Sequence, residues 1–226
     1  MAPAKNYFDW QCRLVTRDLG RRVVEIGCGI GNFTGMLLEG RAVLALDAEP
    51  RCVEQLKSRY AAAANLDVLK FDWTGASWDQ RLRPRLAAFR PDSCVCLNVL
   101  EHMEDDREAL QRMAAILQPG GIIVLLVPAF PALYGPIDKQ LGHYRRYTRK
   151  SVRQLAAAAG LHLKSADYMN AVGFFGWWVN AHVSKREAQS ASQIDIFDRY
   201  IVPLSSRLER LVPPPFGQSL LVVLRK

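Results

Sequence analysis

Val23-Val24-Glu25-Ile26-Gly27-Cys28-Gly29-Ile30-Gly31-Asn32 is the stretch on which the reading of this chain turns. A short apolar run, broken by one acid, leads into three glycines at alternate positions. The pattern predicts a buried strand over Arg22–Ile26 that ends in a tight turn and opens a helix. Glycine reaches positive φ and lets a ligand approach the backbone where a β-carbon would stand in the way. In an open α/β sheet, the carboxyl end of a strand is where ligands bind. A dinucleotide fold carries G-x-G-x-x-G, with a longer second gap. The spacing here is E-x-G-x-G-x-G, which argues against a nicotinamide oxidoreductase.

Outward from this turn, strands and helices alternate. An amphipathic helix over Asn6–Leu19, stopped by Gly20, precedes the first strand. A helix over Phe33–Glu39 follows it and closes at Gly40. The second strand, Ala42–Leu46, ends at Asp47, and Pro50 opens a helix running to Ala64. Strand Asp67–Lys70, helix Gln80–Phe89, strand Ser93–Asn98 and helix Glu104–Ile116 come next. The turn Pro119-Gly120-Gly121 leads into strand Ile122–Val127. Helix Lys150–Ala159 stops at Gly160, a sixth strand begins near Leu161, and Ser219–Leu224 is the last. Continuous apolar strands alternating with helices predict an α/β fold with a mostly parallel sheet covered on both faces. Residues 128–149 and 170–216 break the alternation, and segments this long in a compact domain are usually functional.

The chain has 226 residues, half of them hydrophobic and 23% charged. That suits one packed α/β domain over residues 1–226. Its formal net charge is +8 with a pI of about 9.4, which favours anionic partners. Five cysteines (Cys12, Cys28, Cys52, Cys94 and Cys96) include no C-x-x-C pair and read as reduced thiols. The first six residues contain no apolar signal-peptide core. The apolar run from Ile122 to Phe130 is too short to span a bilayer. A cytoplasmic location, with peripheral contact to a membrane surface left open, is the expectation.

Asp47 closes the second strand twenty residues after Gly27. A carboxylate there can accept both hydroxyls of a ribose. Phe71-Asp72-Trp73 ends the third strand, where an acid beside an aromatic suits an adenine. Cys96-Leu97-Asn98-Val99-Leu100-Glu101-His102-Met103 follows the fourth strand. His102 titrates near neutral pH and can serve as a general base. Glu101 and His102 could instead brace the loop or, with Asn98, ligate a divalent cation; Asn98 stands where an acid would serve that better, and no metal is assigned.

The glycine turn resembles motif I of class I S-adenosylmethionine (SAM)-dependent methyltransferases. The Cys96–Met103 segment resembles motif IV of methyltransferases of the ubiquinone-biosynthesis type. After the fifth strand come Val127-Pro128-Ala129-Phe130-Pro131-Ala132-Leu133-Tyr134-Gly135, then Asp138, then Gly142-His143-Tyr144-Arg145-Arg146-Tyr147. Together they are similar to a bacterial branch with a G-H-Y-R-R-Y loop, over nearly the whole chain. The resemblance implies a Rossmann-like sheet of seven strands with the last antiparallel, and methyl transfer from SAM, leaving S-adenosylhomocysteine. It implies that the turn (Glu25, Gly27, Cys28, Gly29, Gly31, Asn32), Asp47 with Ala48, Asp72 with Trp73, and Asn98 with Val99 contact the cofactor. Tyr7 and Trp10 are expected on a lid helix over it.

His102 and His143 are the expected catalytic bases. Tyr134, His143, Tyr144, Arg145, Arg146, Tyr147 and Trp177 are the expected acceptor side. Arginine forks bind carboxylate or phosphate in a bidentate way, so an anionic acceptor is one reading; a solvated loop whose arginines pair with Asp or Glu elsewhere is the other. The aromatic stretch Ala171–Val179, with Lys185 and Arg186 nearby, reads as an acceptor pocket, a dimer surface, a membrane anchor, or simple packing. The acceptor is expected to be a small or lipid-linked molecule. A nucleic-acid methyltransferase and a non-catalytic SAM-binding protein are the alternatives; neither an N-P-P-Y-like nor a cysteine-nucleophile signature supports the former.

Overall fold

The three-dimensional structure is a computed structural model that describes residues 4–73, 78–184 and 191–226. Residues 1–3, Lys185 and Arg186 lie outside the described residues. In chain order the elements are α1 (Lys5–Val15), β1 (Arg22–Ile26), α2 (Thr34–Leu37), β2 (Ala42–Asp47), α3 (Pro50–Arg59) and β3 (Leu66–Lys70). They continue with α4 (Trp78–Phe89), β4 (Ser93–Leu97), α5 (Asp106–Ile116), β5 (Ile122–Pro128), α6 (Pro136–Leu141) and α7 (Arg149–Ala158). The last are β6 (His162–Met169), α8 (Ala171–Val179), α9 (Ala191–Ile196), α10 (Val202–Leu211) and β7 (Ser219–Arg225).

Seven strands form one sheet in the order β3-β2-β1-β4-β5-β7-β6. β7 lies between β5 and β6 and is antiparallel to both, while β1 to β5 pair in parallel. The expected seven-stranded Rossmann-like sheet with an antiparallel last strand is therefore present. Its order reverses between β1 and β4, which places the glycine turn at the switch point where α/β sheets open a ligand crevice. Successive residues of β1 divide between the faces: Val23 joins the cluster containing Trp10, Val43 and Leu56, and Val24 the one containing Leu44, Leu110 and Leu224. Two covered faces explain why the strands are apolar without alternation.

Local chemistry sets several boundaries. Pro50 takes the first turn of α3, and the Glu49 carboxylate accepts from the Arg51 amide. α3 stops at Arg59, short of the expected Ala64. Tyr60 leaves the helix and donates from its hydroxyl to the Gly31 carbonyl at 3.3 Å. α5 starts at Asp106 because Asp105 caps it, accepting from the Glu108 amide at 2.8 Å. The helix after β1 is only the four residues of α2, and turn carries the chain on to Gly40. The two segments that break the alternation hold α6 in one case and α8, α9 and α10 in the other. Among the described residues no helix is long and apolar enough to cross a membrane.

α1 ends at Val15 and passes into a 3-10 turn over Thr16–Asp18. No residue of its own caps it. The Asn6 and Tyr7 amides donate instead to the Asp198 carboxylate, at 3.1 and 2.8 Å, from 191 or more residues away in sequence. Phe8 meets Phe33 edge-on at 5.3 Å, which holds α1 against the segment after the glycine turn.

Glu25 sits inside β1, buried, and its Oε2 accepts from the Thr34 hydroxyl at 2.6 Å. This bond ties the strand to α2 across the turn. Burial pushes the Glu25 carboxyl up to about 8; Thr34 opposes this and the nearby Asp47 charge adds to it. An unfolded glutamate ionises near 4.3, so between about pH 4.3 and pH 8 the folded state holds the extra proton and stability falls as pH rises. Denaturant titrations at about pH 5 and pH 8 should show this loss, and Glu25→Gln should remove roughly 2–4 kcal/mol of it. An unchanged pH dependence in the variant would show that Glu25 is ionised in the folded protein.

Candidate active site

The turn after β1 is held open by contacts on one side only. Gly27, Gly29 and Gly31 all have positive φ (72°, 54° and 86°). A β-carbon on Gly27 would strike Val99, and one on Gly31 would strike Leu56. At Gly29 nothing lies within 4 Å, so this is the face a ligand can approach. The Gly27 and Cys28 amides donate to the Leu46 carbonyl at 2.8 and 3.1 Å, fastening the turn to the end of β2. The Gly29 amide donates to Asp47 Oδ2 at 2.7 Å, and the Glu49 amide to Asp47 Oδ1 at 2.9 Å. Asp47 thus stands half-buried beside the open face. Asn32, Ala48, Asp72 and Asn98 are exposed around it. Cys28 is buried, and burial raises its thiol pKa, so it stays protonated.

Asn98 ends β4 at φ 54°, a left-handed conformation that a non-glycine residue adopts at some cost. Its amide donates to the Leu126 carbonyl at 2.8 Å, so the turn toward Glu101 and His102 leaves the sheet at a fixed point. The His102 and His143 rings meet edge-on, 4.7 Å apart. Burial, and then the neighbouring His143, lowers the His102 pKa. A neutral ring able to accept a proton follows.

Three expected roles take a different form. Trp73 is 5% exposed and packs against Phe71 in the core, with its indole donating to the Ala109 carbonyl at 3.4 Å. Its ring is mostly core, and what remains of it lines the cleft beside His102. Trp10 is also core, with Tyr7 edge-on to it at 6.1 Å. Burial raises the Tyr7 hydroxyl pKa, against hydrogen bonds from Ser219, Asn170 and Gln11. Phe8, half-buried, is the aromatic of α1 that meets the segment after the glycine turn, at Phe33. Local periodicity identified the helix but could not say which of its aromatic faces turns inward.

The G-H-Y-R-R-Y loop folds onto Asp138 of α6 and Asp106 of α5. Asp138 is fully buried. It accepts from Arg146 Nε at 2.9 Å and Nη2 at 3.1 Å, from the Gly135 amide at 3.0 Å, and pairs with His143 Nδ1 at 2.8 Å. Burial alone would raise its pKa, but His143 and Arg146 together hold it below the usual carboxylate range. Arg146 also donates to the Ala129 carbonyl and lies over the Trp177 ring at 5.1 Å. Arg145 pairs with Asp106 at 2.9 Å and donates to the Glu104 carbonyl. The Tyr147 hydroxyl donates to the same Asp106 carboxylate, and Tyr134 to the His143 carbonyl at 2.7 Å. The two arginine forks expected for an anionic acceptor are thus engaged within the protein. Tyr144 is the exposed aromatic of the loop.

Glu101 is 1% exposed, and among the described residues its Oε2 is a buried acceptor with no hydrogen-bond partner. Burial lifts its carboxyl to about 7, against the pull of His143 and Arg146. Glu101, His102 and His143 each offer one ligand atom, all within 4.8 Å of one another. Beside them a cleft of about 310 Å³ is lined by Trp73, His102, Glu104, Asp105, Glu108, Ala109, Arg112 and Tyr144. Its charged rim is mostly acidic.

Sequence reasoning did not find Asp106 as the partner of Arg145 and Tyr147, or Asp198 and Glu209 as caps. Glu209 accepts from the Asn170 and Ala171 amides at 2.9 and 2.8 Å. Each bond spans 38 or more residues, so no local pattern signals it.

Residues 5–166, more than half of the chain, match a family described as a methyltransferase domain. The chain is 28% identical over 213 residues to a trans-aconitate 2-methyltransferase of Rhodococcus jostii, covering 81% of this chain and 78% of that protein. Over 112 residues it is 32% identical to a ubiquinone biosynthesis O-methyltransferase of Xanthomonas euvesicatoria, covering 47% and 42%. The N-methyltransferase NodS of Bradyrhizobium japonicum, solved with S-adenosyl-L-homocysteine, superposes with a TM-score of 0.61 at 18% identity over 99% of this chain and 88% of NodS. A Rossmann-like sheet, a glycine turn open at its switch point and a family match across most of that sheet agree: the chain belongs to the methyltransferase-domain family and is a SAM-dependent methyltransferase.

Proposed function

We propose that this enzyme methylates a small-molecule or lipid-linked acceptor that enters beside Tyr144, with His102 accepting the acceptor's proton. The observation that carries the reading is His102, one turn after the end of β4 and lining the cleft, with the His143 ring edge-on to it at 4.7 Å. When bound, SAM supplies a methyl group activated on a sulfonium. The chain's residues must bind and align the reactants, exclude water and handle the proton.

Gly27, Gly29 and Gly31 would admit the cofactor against the backbone, with Cys28, Asn32, Ala48 and Val99 forming the surrounding wall. The Asp47 carboxylate, which takes the Gly29 and Glu49 amides, would turn to the ribose hydroxyls. Asp72 and Asn98 would meet the adenine and the reacting end. His102 would accept a proton at its ring, while Asp138 fixes the orientation of His143 against it. Arg146 and Arg145 would position the loop rather than bind an anion, because Asp138 and Asp106 hold them. This favours a neutral hydroxyl or amine acceptor, for which a base is required, over a carboxylate. α1, with residues 128–149 and 170–216, would close over the reactants.

The orphaned Glu101 Oε2 favours a second reading in place of the His102 base, a divalent cation held by Glu101, His102 and His143, whose coordination would take up the His102 lone pair. Calorimetric titration of the protein with Mn²⁺ should then show one site that His143→Ala removes; no heat in the wild type would rule the cation out.

Asp47→Ala should weaken SAM binding by calorimetry at least about tenfold, through loss of charge-assisted hydrogen bonds; equal affinity would remove Asp47 from the cofactor site. With an acceptor found by screening, His102→Gln should lower kcat by about 10²–10⁴. The wild-type rate should rise with pH and level off below the ordinary histidine pKa near 6.5, since the His102 pKa is lowered. Retention of that limb in the variant would assign the base elsewhere.

A further inference from the structure

α10 is built the wrong way round for a helix that faces water. Its inward side is small or polar: Val202 and Ser205 are buried, and Glu209 turns inward to cap α8. Its outward side carries Leu204, Leu208 and Leu211, which are 60%, 56% and 78% exposed. Tyr200, one turn earlier, is 64% exposed. The spacing of four and three residues puts the three leucines on one face of α10, and Tyr200 lies in the π-helical turn over Phe197–Ile201 that leads into it. Single exposed apolar residues are ordinary, but an aligned stripe marks an interaction surface.

α8 repeats the arrangement. Phe174 packs inward on Phe130 and Phe216, and Trp177 lies under Arg146. Val172, Phe175, Trp178 and Val179 are exposed at 45–59%. Glu209 joins α10 to the first residues of α8, so the two faces belong to one assembly.

The charges around the stripe identify what covers it. Arg199, Arg207 and Arg210 are exposed. Of the acids between residues 194 and 212, Asp198 is buried on the α1 amides and Glu209 points at α8; Asp195 is exposed. An outward leucine stripe with aromatic flanks and a cationic border, whose neighbouring acids are mostly turned inward, matches the boundary of an anionic bilayer. We propose that α10 and α8 form an interfacial docking surface for anionic phospholipid. Because Trp177 of α8 touches Arg146 of the loop, docking there would set the acceptor side of the enzyme close to the lipid headgroups. The proposal goes beyond methyl transfer and does not depend on it.

The test is co-sedimentation of the full-length chain with vesicles of equimolar phosphatidylcholine and phosphatidylglycerol, and with vesicles of phosphatidylcholine alone. Two variants accompany it: Leu204→Asn with Leu208→Asn and Leu211→Asn, and Arg199→Gln with Arg207→Gln and Arg210→Gln. All six residues are exposed, and SAM binding with circular dichroism checks that the variants fold. Binding to the anionic vesicles is expected to exceed binding to the neutral ones, and to weaken at least about tenfold in each variant. Failure of the wild type to sediment with anionic vesicles would overturn the proposal, as would undiminished, wild-type binding by both variants. A concentration-dependent dimer in sedimentation velocity that the leucine variant abolishes, without vesicle binding, would assign the stripe to a second copy and also overturn it. SAM binding is read separately, so failure of docking leaves the methyltransferase reading intact.

Discussion

The site depends on one close approach. Val99, just past the end of β4, packs onto the backbone of Gly27, just past the end of β1, at a place where a β-carbon would collide with it. β1 and β4 are neighbours in register, Ile26 beside Cys96, so their two turns must share one crevice. Glycine allows the turns to close together, and its positive φ bends the chain so that the open face at Gly29 points away from the packed side. The same contact sets Asn98 and the following histidine turn next to the glycine turn.

Charge is organised around this crevice by burial. Asp138 is removed from water and would be costly there unpaired, so Arg146, His143 and the Gly135 amide surround it. That network locks the loop after β5 and fixes the orientation of His143. It also uses up the guanidinium that an anionic substrate would otherwise meet. Glu25 and Glu101 are buried with fewer partners, and their carboxyls titrate upward. Glu25 lies within β1, tied to Thr34, and Glu101 lies in the turn after β4.

Much of the fold was legible because its signals are local. The apolar runs of β1 and β5, the glycine turn, Asp47 at the end of β2 and Pro50 at the start of α3 each express backbone or burial chemistry within a few residues. So did the position of the histidine turn after β4. The less legible parts are those where one residue can satisfy either of two environments. Trp73 reads equally well as a base-stacking ring and as core, and its indole found the Ala109 carbonyl. Arg145 and Arg146 read as anion forks until Asp106 and Asp138 are brought beside them.

The sequence alone determined the sheet, its glycine turn, the cofactor class it resembles and the residues from which a site could be built, since periodicity and φ preference act over short stretches. Tertiary structure alone decided which of those residues face a ligand and which are consumed by packing. It also decided that Asp198 caps α1 and Glu209 caps α8, and that the leucines of α10 face outward. The reason is physical: a hydrogen bond or an ion pair between residues far apart in the chain leaves no periodic trace, and a helix shows which face it buries only once its neighbours are in place.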